Sequence, residues 1–175
     1  MGLKRVFIAG TSGSGKSFLS KKLSKLLKIK VYDLDDIFWI RKYDLKRSDK
    51  EKVKLLGKIC KKKAWIIEGV YSSWVEGAIK KSDLVIILDV PKVILAWRII
   101  YRFLGRRGKN RETWKDTVGL IKYAFSYKKK ENDGQLKRYY LHMHLINKHK
   151  VDFVIIKSKK ELNRFLDSIK SSHKI

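Results

Sequence analysis

"GTSGSGKS", Gly10 to Ser17, is the stretch that decides how the rest of this 175-residue chain reads. It satisfies G-x-x-x-x-G-K-[ST] in full. The apolar run "RVFIAG" leads into it and "FLSKKLSKLL" leads out, so a strand comes before and a helix after. That is the setting in which such a loop holds phosphate. Gly10, Gly13 and Gly15 allow backbone angles that turn successive N–H groups into one anion nest, and the helix start adds its positive dipole end. Lys16 is placed to reach the β- and γ-phosphates of a nucleoside triphosphate, and the Ser17 hydroxyl to ligate Mg2+. The expected nucleotide set is therefore Gly10, Thr11, Ser12, Gly13, Ser14, Gly15, Lys16, Ser17 and Phe18, with ATP and Mg2+ as cofactors.

Working outward, apolar runs at 4–9, 30–35, 64–69, 84–90 and 151–157 read as strands. Helical periodicity marks 16–27, 45–62, 72–80, 91–105, 136–148 and 160–171, with Pro91 suited to a first turn. Val53, Leu56, Ile59 and Cys60 form the apolar stripe expected of the second of these helices. Five strands alternating with helices predict an α/β fold, a parallel sheet with helices on both faces. One domain over 1–175 is expected, with an acceptor-binding region at about 36–63 and a lid at about 105–130. The segment from Arg106 to Lys130 is basic, interrupted by glycine and weakly patterned.

Lys and Arg number 43 against 17 Asp and Glu, a net charge of +26. Such a field favours polyanions, nucleotides and nucleic acid among them, and a lysine-rich proteome produces the same excess. The single cysteine, Cys60, excludes an intramolecular disulfide. No apolar run reaches the roughly 20 residues of a membrane helix, and no signal-peptide core precedes the first strand. A cytoplasmic protein, monomer or homodimer, is the expectation.

Other motifs sort the phosphate-loop proteins. "NKHK" (147–150) ends in Lys where guanine recognition needs Asp, and "DTVG" (116–119) follows no strand, so a GTPase switch is not supported. A small kinase remains. Such an enzyme places its ligands at the carboxyl ends of parallel strands. Asp33 and Asp35 fall at the end of the second strand, Glu68 at the third and Asp89 at the fourth. Asp36 reads as a cap for the next segment.

Three further stretches carry a resemblance: "VYDLDDIFW" (31–39), "WIIEGVY" (65–71) and "DLVIILDVPKVILAWRIIYR" (83–102). With the phosphate loop they make the chain similar to the nucleoside-monophosphate-kinase-like P-loop kinases, the group of adenylate, shikimate and gluconate kinases. Within that group the motifs most resemble the set named "DNA topology modulation protein". The resemblance implies a three-layer fold with strand order 2-3-1-4-5 and a basic helical lid. It implies that Glu68 holds magnesium through water, that Asp33 is a second magnesium-associated acid, and that Asp35 binds the acceptor hydroxyl. Asp89, a Walker B pattern, is the rival metal acid. It also implies that Arg98 packs on the nucleotide base and that Arg102 contacts phosphate.

Arg98 and Arg102 are four apart within "VILAWRIIYRFL", an otherwise apolar helix whose broad faces are both expected to be covered. Arg107 and Arg111 are the lid cations assigned to the transferring phosphoryl group, whose loose transition state needs positive charge around it. Asp35, Trp39 and Arg41, with Arg47, are assigned to the acceptor. Asp35 favours a hydroxyl, which needs a carboxylate to orient it. Arg41 and Arg47 favour a phosphate, and "EGVYSS" (68–73) lacks the Pro and Arg with which nucleoside monophosphate kinases grip one. Both acceptor types stay open, as does a nucleic-acid-associated ATP-binding protein or polynucleotide kinase. Trp65 and the Tyr139, Tyr140 and Met143 stripe read as core. His142, His144 and His149 lack the acid or cysteine partners of a metal site.

Overall fold

The computed structural model describes residues 2–41, 44–106, 113–128 and 138–172. In chain order the elements are β1 (Arg5–Gly10), α1 (Lys16–Leu27), β2 (Val31–Asp33), α2 (Leu34–Phe38), β3 (Trp39–Arg41), β4 (Leu45–Lys46), α3 (Asp49–Cys60) and β5 (Trp65–Gly69). Then come α4 (Glu76–Lys80), β6 (Leu84–Leu88), α5 (Lys92–Arg106), α6 (Trp114–Phe125), a 3-10 turn (Ser126–Lys128), α7 (Arg138–His149), β7 (Phe153–Ile156) and α8 (Lys159–Ser172).

Five strands form one parallel sheet in the spatial order β2-β5-β1-β6-β7. With the small antiparallel pair β3–β4 set aside, that is the expected order 2-3-1-4-5. Side chains alternate across the sheet, as strand geometry requires. Val6, Ile8, Ile66 and Ile86 pack against α1 and α8 on one face. Phe7, Ala9, Ile67, Val85 and Ile87 pack against α3, α4 and α7 on the other. Trp65 is fully buried there, as expected of a core residue. Strand register brings two acids together at one rim: β1 sets Ile8 beside Glu68, and β2 sets Asp33 beside that same Glu68.

Several boundaries differ from expectation, and each has a local cause. The second strand stops at Asp33 because that carboxylate accepts the Asp35 N–H at 2.9 Å and caps α2. Asp35 thus sits in the first turn of a helix, and Asp33, not Asp36, is the cap. The helix expected from residue 45 starts at Asp49, because Ser48 and Glu51 form a reciprocal capping box and Leu45–Lys46 pair with Trp39–Arg41. Along α3 the expected stripe holds at Leu56 and Cys60 but not at Val53, which is exposed. Lys52 is buried instead, its ammonium over the Phe38 ring at 4.7 Å and paired with Asp49 at 2.5 Å. The third expected helix, 72–80, is reduced to Glu76–Lys80.

The segment after α5 is more regular than its pattern suggests. A Thr113–Asp116 capping box starts α6, and "DTVG" lies within that helix. The other correction concerns α5. Leu95 and Ile99 are buried, but Val93, Trp97, Tyr101 and Leu104 are exposed, so one face and not two is covered. The covered face lies on the phosphate loop: a Cβ built on Gly13 would stand 3.1 Å from the Leu95 carbonyl and 3.2 Å from Ile99.

Candidate active site

The loop between β1 and α1 has the backbone that phosphate binding needs. Gly13 and Gly15 adopt φ of +78° and +99°, a region that side chains disfavour. Gly15 is the N-cap of α1 and no side chain caps the helix, so its first N–H groups remain directed at the loop. Thr11 Oγ1 and Ser14 Oγ are buried with no hydrogen-bond partner among the described residues. Orphaned donors around a helix start fit a nucleotide's phosphate chain. Arg98 stiffens the loop from behind, donating from Nη1 to the carbonyls of Gly13 (3.2 Å) and Ser14 (3.1 Å).

Lys16 is half-buried, and its ammonium donates to the Thr11 carbonyl at 3.0 Å. Burial lowers its pKa, opposed by the charges of Glu68, Asp35 and Asp33. These three acids and the loop lysine therefore share one neighbourhood. Arg102 acts on Lys16 in the opposite sense, so its charge is felt at the same lysine.

Glu68 is 4 % exposed at the end of the β5 run and accepts from Ser17 Oγ (3.1 Å) and Ser20 Oγ (3.0 Å). Burial raises its pKa and the neighbouring Asp33 raises it further, while Lys16 and the two hydroxyls pull it down. Asp33 is raised as well, again first by burial. Among the described residues no three His, Cys, Asp or Glu side chains gather into a protein-only cation cage. Ser17, Glu68 and Asp33 instead make a sparse oxygen set, the kind that suits Mg2+ completed by water and phosphate. Asp89, the rival, is already engaged: Lys128 donates to it at 2.7 Å.

Where the sequence places the acceptor, Asp35 Oδ1 accepts from the Tyr71 hydroxyl at 2.8 Å. The Tyr71 ring stacks on Phe38 with centroids 4.5 Å apart. Burial raises the Tyr71 pKa and the Asp35 charge raises it further, so the hydroxyl keeps its proton as donor. Tyr123 on α6 also feels Asp35, and Arg138 lies over the Tyr123 ring at 4.1 Å while donating to its hydroxyl at 2.9 Å. The cations expected here are otherwise employed. Arg47 donates to the carbonyls of Asp36 (2.8 Å), Ile37 (2.9 Å) and Trp39 (2.5 Å), closing the end of α2. Arg41 pairs with Asp44 at 2.5 Å on an exposed hairpin. Trp39 is half-buried edge-on to Phe38, 4.8 Å between centroids. Arg107 and Arg111 lie outside the described residues.

Beside the loop a cavity of about 510 Å³ opens between α1, α5 and the start of α8, lined by Gly15, Phe18, Ile94, Arg98, Ile156 and Leu162. Three of these, Gly15, Phe18 and Arg98, are residues that the sequence assigns to the nucleotide. The aliphatic residues carry no such signal, since nothing in their spacing separates a cavity wall from core.

The comparisons agree with this architecture. The structure superposes on shikimate kinase from Acinetobacter baumannii, solved in complex with shikimate, with a TM-score of 0.61 at 16 % identity, covering 99 % of this chain and 96 % of that one. A shikimate kinase from Bacteroides thetaiotaomicron gives a TM-score of 0.55 at 14 % identity, covering 99 % of both chains. The fold is a kinase-like P-loop fold. In sequence, the chain is 35 % identical over 106 residues to the uncharacterized protein YqaC of Bacillus subtilis (strain 168), and the match spans 60 % of this chain and 60 % of that relative's length. No family model matches the chain. No described helix is long and apolar enough to cross a membrane.

Proposed function

We propose that this protein is an ATP-dependent phosphotransferase that moves the γ-phosphoryl group of Mg·ATP to a hydroxyl of a small molecule. One observation carries the reading: Lys16, Ser17, Glu68, Asp33 and Asp35 converge on the mouth of the phosphate loop. The loop N–H groups and Lys16 hold the phosphates. Ser17 and Glu68, with Asp33 beside them, hold Mg2+, which neutralises charge on the β- and γ-phosphates when bound. Phe18 and Arg98 wall the base, and Arg102 faces the phosphates. The basic segment from α5 to the 3-10 turn serves as the lid, with Arg107 assigned to the transferring group.

The hydroxyl acceptor is favoured over a phosphate by how the side chains are spent. Asp35 points to the reacting side with one oxygen fixed by Tyr71, ready to orient an incoming hydroxyl and take its proton. Arg41 and Arg47 are tied to Asp44 and to the α2 carbonyls. Arg138, unnoticed in the sequence, bonds the Tyr123 hydroxyl beside Asp35 and suits an acidic substituent on the acceptor. Trp39 is retained as an outer wall. The narrower assignment, to the set named "DNA topology modulation protein", rests on the motif stretches alone.

The test is label transfer from Mg·ATP to a panel of small hydroxy acids (shikimate among them), polyols, nucleosides, nucleoside monophosphates and oligonucleotide ends. Phosphorylation of a hydroxyl compound is expected. Transfer only to nucleoside monophosphates would refute the hydroxyl acceptor. Transfer to nothing, with ATP hydrolysis no faster than in Lys16→Ala, would refute the kinase.

A further inference from the structure

His142 is fully buried on α7 and belongs to none of the groups assigned above to nucleotide, metal or acceptor. Its ring has two partners of different kind. Nε2 lies 2.8 Å from the Tyr71 carbonyl oxygen, and Nδ1 lies 3.1 Å from the Tyr127 hydroxyl. A carbonyl only accepts, so Nε2 carries the proton and donates. The neutral ring then leaves Nδ1 as acceptor, and Tyr127 must donate to it. Every direction in this row of hydrogen bonds is fixed.

The row has two ends. At one, the Tyr71 backbone is pinned by His142 and its ring is stacked on Phe38 and tilted against Trp74 at 5.3 Å. With carbonyl and ring both held, the hydroxyl meets Asp35 Oδ1 at 2.8 Å. At the other end, Tyr127 sits in the 3-10 turn that closes α6, and the next residue, Lys128, holds Asp89. Asp35 on α2, Tyr71 after β5, His142 on α7 and Tyr127 after α6 have no sequence proximity. One imidazole joins them.

We propose that His142 is a positioning residue of the transfer site: it sets Tyr71 so that its hydroxyl holds Asp35, and it ties that arrangement to the root of the basic segment through Tyr127. This rests on the phosphotransferase reading of the same site. A histidine that only satisfied two core groups would affect stability; a positioning histidine also shares its effect with Tyr71.

The experiment is a double-mutant cycle on Mg·ATP hydrolysis, with water as the phosphoryl acceptor, in wild type, His142→Leu, Tyr71→Phe and the double variant. His142→Leu and Tyr71→Phe should each lower kcat by roughly 10²-fold, the scale of a misplaced group, with the KM for ATP within about twofold. The double variant should be no slower than the slower single one, and His142→Gln, which keeps a donor for the Tyr71 carbonyl, should recover most of the rate. Losses that multiply, or a normal kcat in His142→Leu, would overturn the proposal while leaving the enzyme reading standing. Absence of hydrolysis above background in wild type, together with transfer to no compound of the acceptor panel, would overturn both. Should His142→Leu not fold, imidazole ¹⁵N spectra of wild type and Tyr127→Phe decide the geometry. A protonated, exchange-protected Nε2 in both, with only the Nδ1 signal displaced by Tyr127→Phe, is the expected result; an Nδ1–H tautomer would overturn the proposal.

Discussion

Acidifying the protein should destabilise it through His142 in a way that a single substitution removes. Burial pushes the His142 pKa down to about 4, because a charged imidazole would lose its water among Phe7, Tyr127 and the sheet. The Tyr71 carbonyl pulls the other way, and Arg138 and Lys16 add to the depression. In the unfolded chain the same ring titrates near its ordinary value of about 6.5. Between those two values the unfolded chain binds more protons than the folded one, so stability rises with pH across the window and is lost as pH falls. The contribution is full above pH about 6.5; about 2 kcal/mol of it has gone by pH 5 and about 3 kcal/mol by pH 4. Urea unfolding followed by tryptophan fluorescence measures it. At a slope of about 1–3 kcal/mol per molar urea, the midpoint should fall by about 0.7–2 M between pH 7.5 and 5 from this residue alone. Other groups of the chain titrate in the same range. The decisive quantity is therefore the difference between wild type and His142→Gln, in which those groups cancel. Parallel curves for the two proteins would refute the claim that a neutral, buried His142 is a condition of the fold.

Three further outcomes are expected of the site. Lys16→Ala should reduce phosphoryl transfer by at least about 10²-fold and leave the unfolding midpoint nearly unchanged, since among the described residues Lys16 hydrogen-bonds only within its own loop; retained turnover by a label-transfer assay would contradict its role. Glu68→Gln should raise the Mg2+ concentration for half-maximal activity and lower kcat far more than Asp89→Asn, because Asp89 is occupied by Lys128 and Glu68 meets Ser17; a magnesium titration giving the reverse order would transfer the metal to Asp89. Asp35→Asn should lower kcat by roughly 10²–10⁴-fold, whereas Arg41→Ala should change neither kcat nor the acceptor KM by more than about twofold; a large rise in acceptor KM in Arg41→Ala would restore the phosphate acceptor.

The sheet and the loop were legible because their signals are local and redundant. Strand, glycine loop and helix succeed one another within Arg5–Leu27, and each strand is a short apolar run with breakers at both ends. The acids were legible because three of them end or follow strands, where a parallel sheet opens. What failed was structure made by side chains bonding their own backbone. The S-x-x-E box at Ser48 and the T-x-x-D box at Thr113 were both visible in the letters, and reading them would have started α3 and α6 in the right places. The Asp33 cap had no such marker. The exposed face of α5 could not be read at all, because an apolar helix looks the same whether one side or two are covered. Tyr71, His142, Tyr127 and Arg138 escaped for a related reason: their partners lie far away in sequence, and a buried histidine carries no periodic signature.

Gly69 closes β5 against the first residue of α2. A methyl group added there would stand 2.6 Å from Leu34 Cδ1 and 2.7 Å from its Cβ. Rotating the leucine relieves the first overlap and not the second, so any larger residue at 69 must shove the backbone of α2, and Asp35 with it. At its far end α2 runs into the β3–β4 hairpin, whose Ile40, Arg41 and Leu45 stand open to solvent. The short helix is thus bolted at one end and leads, past the Arg47 clasp, into an open hairpin at the other. Substitution is costly at position 69 and more readily absorbed along the exposed hairpin, which on the proposed function borders the acceptor. A protein so built can retune which molecule it admits while the acid that would meet that molecule stays in register with the phosphate loop.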